Sequence, residues 1–262
     1  MKRKIKSLIG YTLQATDGEI GIVKEFYFDD ITWTIRYLIV ETGSWLFGEK
    51  ILLAPQALLT PNWEKHSFAV NLTMAQIKDS PEIDTDKPIS RQHEMDLYGY
   101  YPWGNCYWGN GMGVGSIGIG SMDIGGMGMP YASSINQAAQ KEADKSVADK
   151  SDKDTHLRST DEVNGYNIKA TDGEIGDVED FIINDKTWAI DFMEVDTGDW
   201  FPGKKVLVSP KWIKELNWET SLVIVNASED QVKNSPEYVP SHELSDSYEA
   251  DLHKYYGFNT HK

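Results

Sequence analysis

Alternation of apolar and polar positions marks out short extended segments from the start of the chain. Ile20–Phe28 and Trp33–Glu41 read as strands. In the second, Ile35, Tyr37 and Ile39 lie on one face and Arg36, Leu38 and Val40 on the other. Both faces are largely apolar, as in a buried central strand. Asp17-Gly18 before Ile20 predicts a hairpin, because Gly accepts positive φ without steric cost. Gly21 inside the strand predicts a bulge or bend. Lys50–Ala54 is a fourth strand stopped by Pro55, Leu58–Trp63 a short fifth segment and Ser67–Leu72 a sixth strand. A brief helix follows at Met74–Lys78, ended by Ser80-Pro81. A second helix is expected at Gln92–Tyr100.

The same pattern then recurs. Ala15-Thr16-Asp17-Gly18-Glu19-Ile20-Gly21 returns as Ala170-Thr171-Asp172-Gly173-Glu174-Ile175-Gly176. Trp33 returns as Trp188, Thr42-Gly43-x-Trp45 as Thr197-Gly198-x-Trp200, and Asn62-Trp63-Glu64 as Asn217-Trp218-Glu219. One offset of 155 holds from Gly10 to Tyr101 without a gap, with about 39 of 92 aligned positions identical. One domain type is therefore present twice, each copy long enough to close a core of its own. We expect domain 1 over residues 1–101, a linker over 102–161 and domain 2 over 162–262.

The linker opens with Gly, Met, Trp and Tyr and continues with Ala, Ser, Lys and Asp. Glycine makes regular structure costly in its first half, so a flexible tether is expected there. A marginal helix is expected at 135–148. Methionines 112, 122, 127 and 129 have no His or Cys companions at copper-site spacing and read as part of that tether. Cys106 is the single cysteine, which excludes an internal disulfide and a Cys₂ or Cys₄ zinc site.

The formal net charge is −16, and residues 162–262 hold 20 acids against 9 bases. Such a balance argues against nucleic-acid binding. Lys2-Arg3-Lys4 with Lys6 is the basic exception. It precedes no apolar run of signal-peptide length and reads as a solvated segment, with a weak contact to an anionic membrane or RNA as the sharper alternative. No stretch of about 18 consecutive apolar residues occurs, so no transmembrane segment is expected and a cytoplasmic location is.

Two further motifs carry the resemblance to a family. The tract Gly-x-x-(hydrophobic)-x-Ala-x-Asp-Gly-x-Ile-Gly, a Trp-initiated strand, and Thr-Gly-x-Trp-(hydrophobic)-x-Gly-x-Lys-(aliphatic)₃-x-Pro cover Ala15–Gly21, Trp33–Val40 and Thr42–Pro55, and again Ala170–Gly176, Trp188–Val195 and Thr197–Pro210. This tract resembles the PRC-barrel domain. The resemblance implies two small six-stranded β-barrels in tandem, mainly β, each with short C-terminal helical segments. Barrels of this kind occur in the photosynthetic reaction-centre H subunit, in a ribosome maturation factor and in stand-alone bacterial proteins. No apolar run here matches the membrane helix of the H subunit, so that role does not carry over.

Candidate chemistry is sparse. Asp17/Glu19 and Asp172/Glu174 flank a turn and read as turn chemistry. The six histidines form no i, i+3 or i, i+4 pair, and none recurs at the same place in both copies. No catalytic residue, metal site or cofactor is therefore expected. Trp45, Phe47, Trp200 and Phe201 follow a strand end in each copy; they either fill the barrel mouth or form a contact patch. The expected function is a non-enzymatic adaptor whose barrels pair with each other or present a surface to a protein partner, and no small-molecule partner is expected. The alternatives are a small-ligand binder or enzyme with its site between the barrels, and a peripheral membrane scaffold.

Overall fold

The computed structural model describes residues 1–81, 96–97, 99–101, 156–198, 204–239 and 244–257. The expected helix at 135–148 and nearly all of the linker lie outside the described residues, as does most of the helix expected at Gln92–Tyr100. Residues Met1–Ile83 and His156–Lys262 form one compact unit and Asp84–Thr155 another. In the latter, the Tyr101 amide donates to the Leu97 carbonyl at 2.9 Å, a single helical turn.

The first unit is mainly β and holds two sheets, one per copy. In copy 1 the strands are β1 (Lys2–Lys4), β2 (Thr12–Gln14), β3 (Glu19–Asp29), β4 (Thr34–Thr42), β5 (Lys50–Leu53) and β6 (Ser67–Ala69), followed by α1 (Met74–Lys78). In copy 2 they are β7 (Leu157–Ser159), β8 (Asn167–Lys169), β9 (Glu174–Asn184), β10 (Ile190–Asp196), β11 (Lys205–Val208), β12 (Ile213–Asn217) and β13 (Leu222–Val225). The helices α2 (Thr160–Val163), α3 (Glu229–Lys233) and α4 (Asp246–Tyr255) complete it. β7 and the start of α2 lie within the stretch assigned above to the linker.

Both sheets share one plan. β2–β5 form an antiparallel meander, and β6 returns parallel to β2, pairing Leu13 with Phe68. β8–β11 and β13 repeat this, pairing Ile168 with Val223. One face of the sheet buries Val23, Phe26 and Phe68 in copy 1 and Val178, Phe181 and Val223 in copy 2, and the opposite face buries Tyr37 and Phe192. The anticipated bend at Gly21 is present, with a register shift beside it. A Cβ there would lie 2.0 Å from the Glu41 carbonyl oxygen, and at Gly176 1.9 Å from that of Asp196, so only glycine lets the facing strand approach.

Among the described residues the ladders run as open paths, from β5 to β6 and from β11 to β12, so the closed six-stranded barrel is not completed by hydrogen bonds. The copies differ at the fifth segment. In copy 2 it is the strand β12, with Leu216 paired to Val223. In copy 1 only the bridges Leu58–Val70 and Asn62–Ser67 remain. The residue matching Leu216 is Pro61, which has no N–H to donate.

The copies are joined by an exchange. β1, which leads copy 1, pairs antiparallel with β9 of copy 2 in the register Lys2–Asn184, Arg3–Ile183, Lys4–Ile182. β7, which leads copy 2, pairs with β3 of copy 1 as Leu157–Asp29, Arg158–Phe28, Ser159–Tyr27. All six pairs obey the 155 offset, so the exchange is reciprocal about a pseudo-two-fold axis. At the centre of the seam the Ile35 amide donates to the Trp188 carbonyl at 2.8 Å, and the Ile190 amide to that of Trp33 at 2.7 Å. Both tryptophans are left-handed, φ 52° and 59°. That conformation costs a bulky residue on the order of 1–3 kcal/mol and persists only where the surroundings impose it. Here it turns each carbonyl towards the sister copy. The packing follows suit: Trp188 lies 6.3 Å from Phe26 and 6.1 Å from Phe68, and Phe28 lies 5.7 Å from Phe181.

Candidate functional site

The basic segment is not the solvated one expected. Lys4 pairs with the buried Glu194 at 2.5 Å and Arg3 with Asp185 at 3.5 Å. Lys2 bonds to Asp191 and lies 3.2 Å from Glu249. Burial alone would lower the Lys2 pKa, but the hydrogen bond and charge of Asp191, then Glu249, outweigh it and raise it. Copy 2 answers this in part. Arg158 pairs with Asp30 at 3.0 Å, as Arg3 does with the matching Asp185. Each guanidinium also lies over a tryptophan of its own copy, Arg3 4.0 Å from Trp63 and Arg158 4.4 Å from Trp218. Asp180 accepts from the amides of Lys6 at 3.1 Å and Phe181 at 2.8 Å. Burial pushes its pKa up to about 6; the two amides oppose this and Glu194 adds to it.

Residues that recur in both copies hold backbone in place. Asp17 and Asp172 accept from the first amides of α1 and α3, Met74 and Glu229, each at 2.8 Å. The Thr42 hydroxyl donates to the Glu49 carbonyl at 2.9 Å, and that of Thr197 to Lys204 at 2.7 Å.

The four aromatic candidates divide. The Trp45 indole donates to the Ile20 carbonyl at 2.7 Å, which ties the Gly43–Gly48 loop to β3. Phe47, φ 54°, points outwards and is 92% exposed. Trp200 and Phe201 lie outside the described residues.

What sequence reasoning missed is a cavity of about 380 Å³ at the seam. Copy 1 contributes Ile31, Thr32 and Trp33 from its β3–β4 turn. Copy 2 contributes the start of β10 with Asp191, the Ser209–Lys211 turn, and Glu249 and His253 of α4. The Ser245 hydroxyl caps α4 by accepting from the Tyr248 amide at 3.2 Å. Glu249 and His253 sit four residues apart on that helix and so share a face, with 3.8 Å between His253 Nε2 and Glu249 Oε1. The His253 ring packs on Phe192 and Trp212. Burial lowers its pKa, Lys211 and Lys2 add to this, and Glu249 and Asp191 oppose it.

Part of the polar lining differs between the copies, while Glu249 answers Glu94 and Thr32 answers Thr187. Asp191 answers Arg36, Ser209 answers Ala54, Lys211 answers Gln56, and His253 answers Tyr98. Lys2, which bridges two of the lining carboxylates, answers Leu157. The signal available in the sequence was this local loss of likeness within an otherwise matched pair. Among the described residues no group of three or more His, Cys, Asp or Glu side chains is arranged to hold a metal ion. No helix among them is long and apolar enough to cross a membrane. Neither a protein-family model nor a curated protein matches the chain.

Proposed function

We propose that the chain is a non-enzymatic cytoplasmic adaptor built from two PRC-like barrels, which bind each other by strand exchange and present the Phe47 loop to a protein partner. One observation carries the reading: a phenyl group almost wholly in water on a loop that is held rigid. Trp45 ties that loop to β3, and the Thr42 hydroxyl closes its base. A pre-ordered aromatic loses little entropy on docking, which is the character of an interface anchor. The uses of the recurring residues support the same reading, since Asp17, Thr42 and Trp33 and their counterparts act on backbone. The parallel return of β6 onto β2 supports the barrel assignment, because it curls each meander back towards its own start.

The test places a benzophenone-bearing phenylalanine at position 47 and, as a control, at the exposed Lys65. Irradiation in the native host should give one protein adduct of defined mass from position 47 and none from 65. Phe47→Ser should abolish co-purification of that protein with an unchanged melting temperature. Adducts of equal yield from both positions would refute the reading.

A further inference from the structure

We propose that the cavity at the seam binds a free α-amino acid with an apolar side chain, its ammonium group at Asp191 and Glu249 and its carboxylate at Lys211. The argument starts from charge. Asp191 and Glu249 converge on one ammonium group, that of Lys2, which leaves one negative charge over. Burial disfavours the charged form of His253. The carboxylate pair is thus already shaped around a primary ammonium and carries charge for a second. Both carboxylates are about a quarter exposed, 26% and 23%, so a face of each stays open to the cavity.

Lys211 provides the other pole. Its side chain is exposed and takes part in no ion pair among the described residues. It stands next to Pro210 on the turn that forms one wall, and its four-carbon stem lets the charge reach a ligand carboxylate. Ile31, Trp33, Ala189 and Pro210 supply the apolar part of the lining, beside the hydroxyls of Thr32 and Ser209. A volume of about 380 Å³ lies at the small end of ligand sites and suits a molecule of amino-acid size. Asp191, Lys211 and Lys2 face Arg36, Gln56 and Leu157 in the repeat, so the shared fold does not demand them, whereas Glu249 recurs as Glu94. The proposal is independent of the Phe47 loop, and either can fail without the other.

The experiment is a thermal melt and titration calorimetry of the full chain with free leucine, phenylalanine, aspartate and lysine, beside N-acetyl-leucine and leucinamide. Leucine or phenylalanine should raise the melting temperature by a few degrees in a saturable manner, as expected for ligand well above its Kd. N-acetyl-leucine lacks the ammonium and leucinamide the carboxylate, so each should lose at least tenfold in affinity. Asp191→Asn and Lys211→Met should both lose the leucine response. Should Asp191→Asn fail to fold, Lys211→Met, at an exposed position, still decides the matter. No response to any amino acid, or an equal response to leucine and leucinamide, overturns the proposal.

Discussion

Trp188 is where the left-handed backbone and the packing of the two copies meet, and its truncation separates their contributions. Its half-buried ring packs against Phe26 and Phe68 of copy 1. Full burial of a tryptophan is worth about 3–5 kcal/mol on truncation to alanine, so this ring should be worth about 2–3. Alanine at φ 59° keeps the backbone strain that tryptophan bears, whereas glycine removes about 1–2 kcal/mol of it. Glycine also gives back about 0.5–1 kcal/mol of unfolded-chain entropy. Trp188→Gly should therefore be more stable than Trp188→Ala by about 0.5–1 kcal/mol, the reverse of the usual order within a sheet. At about 2–4 °C per kcal/mol for a chain of this size, calorimetry should find the alanine variant about 4–12 °C below wild type and the glycine variant about 1–4 °C above the alanine variant. The same ordering should hold at Trp33. An alanine variant more stable than the glycine one at both positions would refute the claim that the seam imposes this conformation.

Two further outcomes follow from the same geometry. Asp180 holds its proton to about pH 6 in the folded chain, against about 3.9 unfolded. Its contribution to stability is thus fully present below about pH 3.9 and is lost as the pH rises through 6, a swing of at most about 3 kcal/mol. Asp180→Asn keeps an oxygen for the Lys6 and Phe181 amides, so urea melts should show it more stable than wild type at pH 8 and nearly equal to it at pH 4; equal curves at both would remove Asp180 from the account. Gly176→Ala forces a Cβ to 1.9 Å from the Asp196 carbonyl and should cost at least about 3 kcal/mol, read as loss of soluble protein, whereas Gly165→Ala, with no heavy atom within 4 Å, should meet only its backbone cost of about 1 kcal/mol.

Features set by local chemistry were the ones legible beforehand. Met74–Lys78 is helical at the expected bounds because Thr73 and Gln76 form a capping box around its first turn. The Asp17-Gly18 hairpin and the Gly21 bend follow from glycine alone. The fifth segment differed between copies through Pro61, a residue whose effect is also local. The exchange was not legible, because a strand of three residues is too short for alternation to show. Only Arg3 and Arg158 are identical upstream of Gly10 at the same offset. The cavity was hidden for another reason. It draws on segments near positions 31, 190, 210 and 250, and periodicity within one segment says nothing of how four of them converge.

The reciprocal exchange is the central claim, and a pair of engineered disulfides tests it most directly in a Cys106→Ser background. Lys2 faces Asn184 in the exchanged register, whereas the matching residue of its own copy is Asp29. Paired antiparallel positions lie about 4.5–5.5 Å apart between Cα atoms, within disulfide reach. The measurement is non-reducing electrophoresis after proteolysis within residues 102–155. Exchange predicts that Lys2→Cys with Asn184→Cys forms an intramolecular bond that holds the two halves together, and that Lys2→Cys with Asp29→Cys does not close. Closure of the 2–29 pair with the 2–184 pair left as free thiols would show that each copy keeps its own leading strand, and would contradict the account.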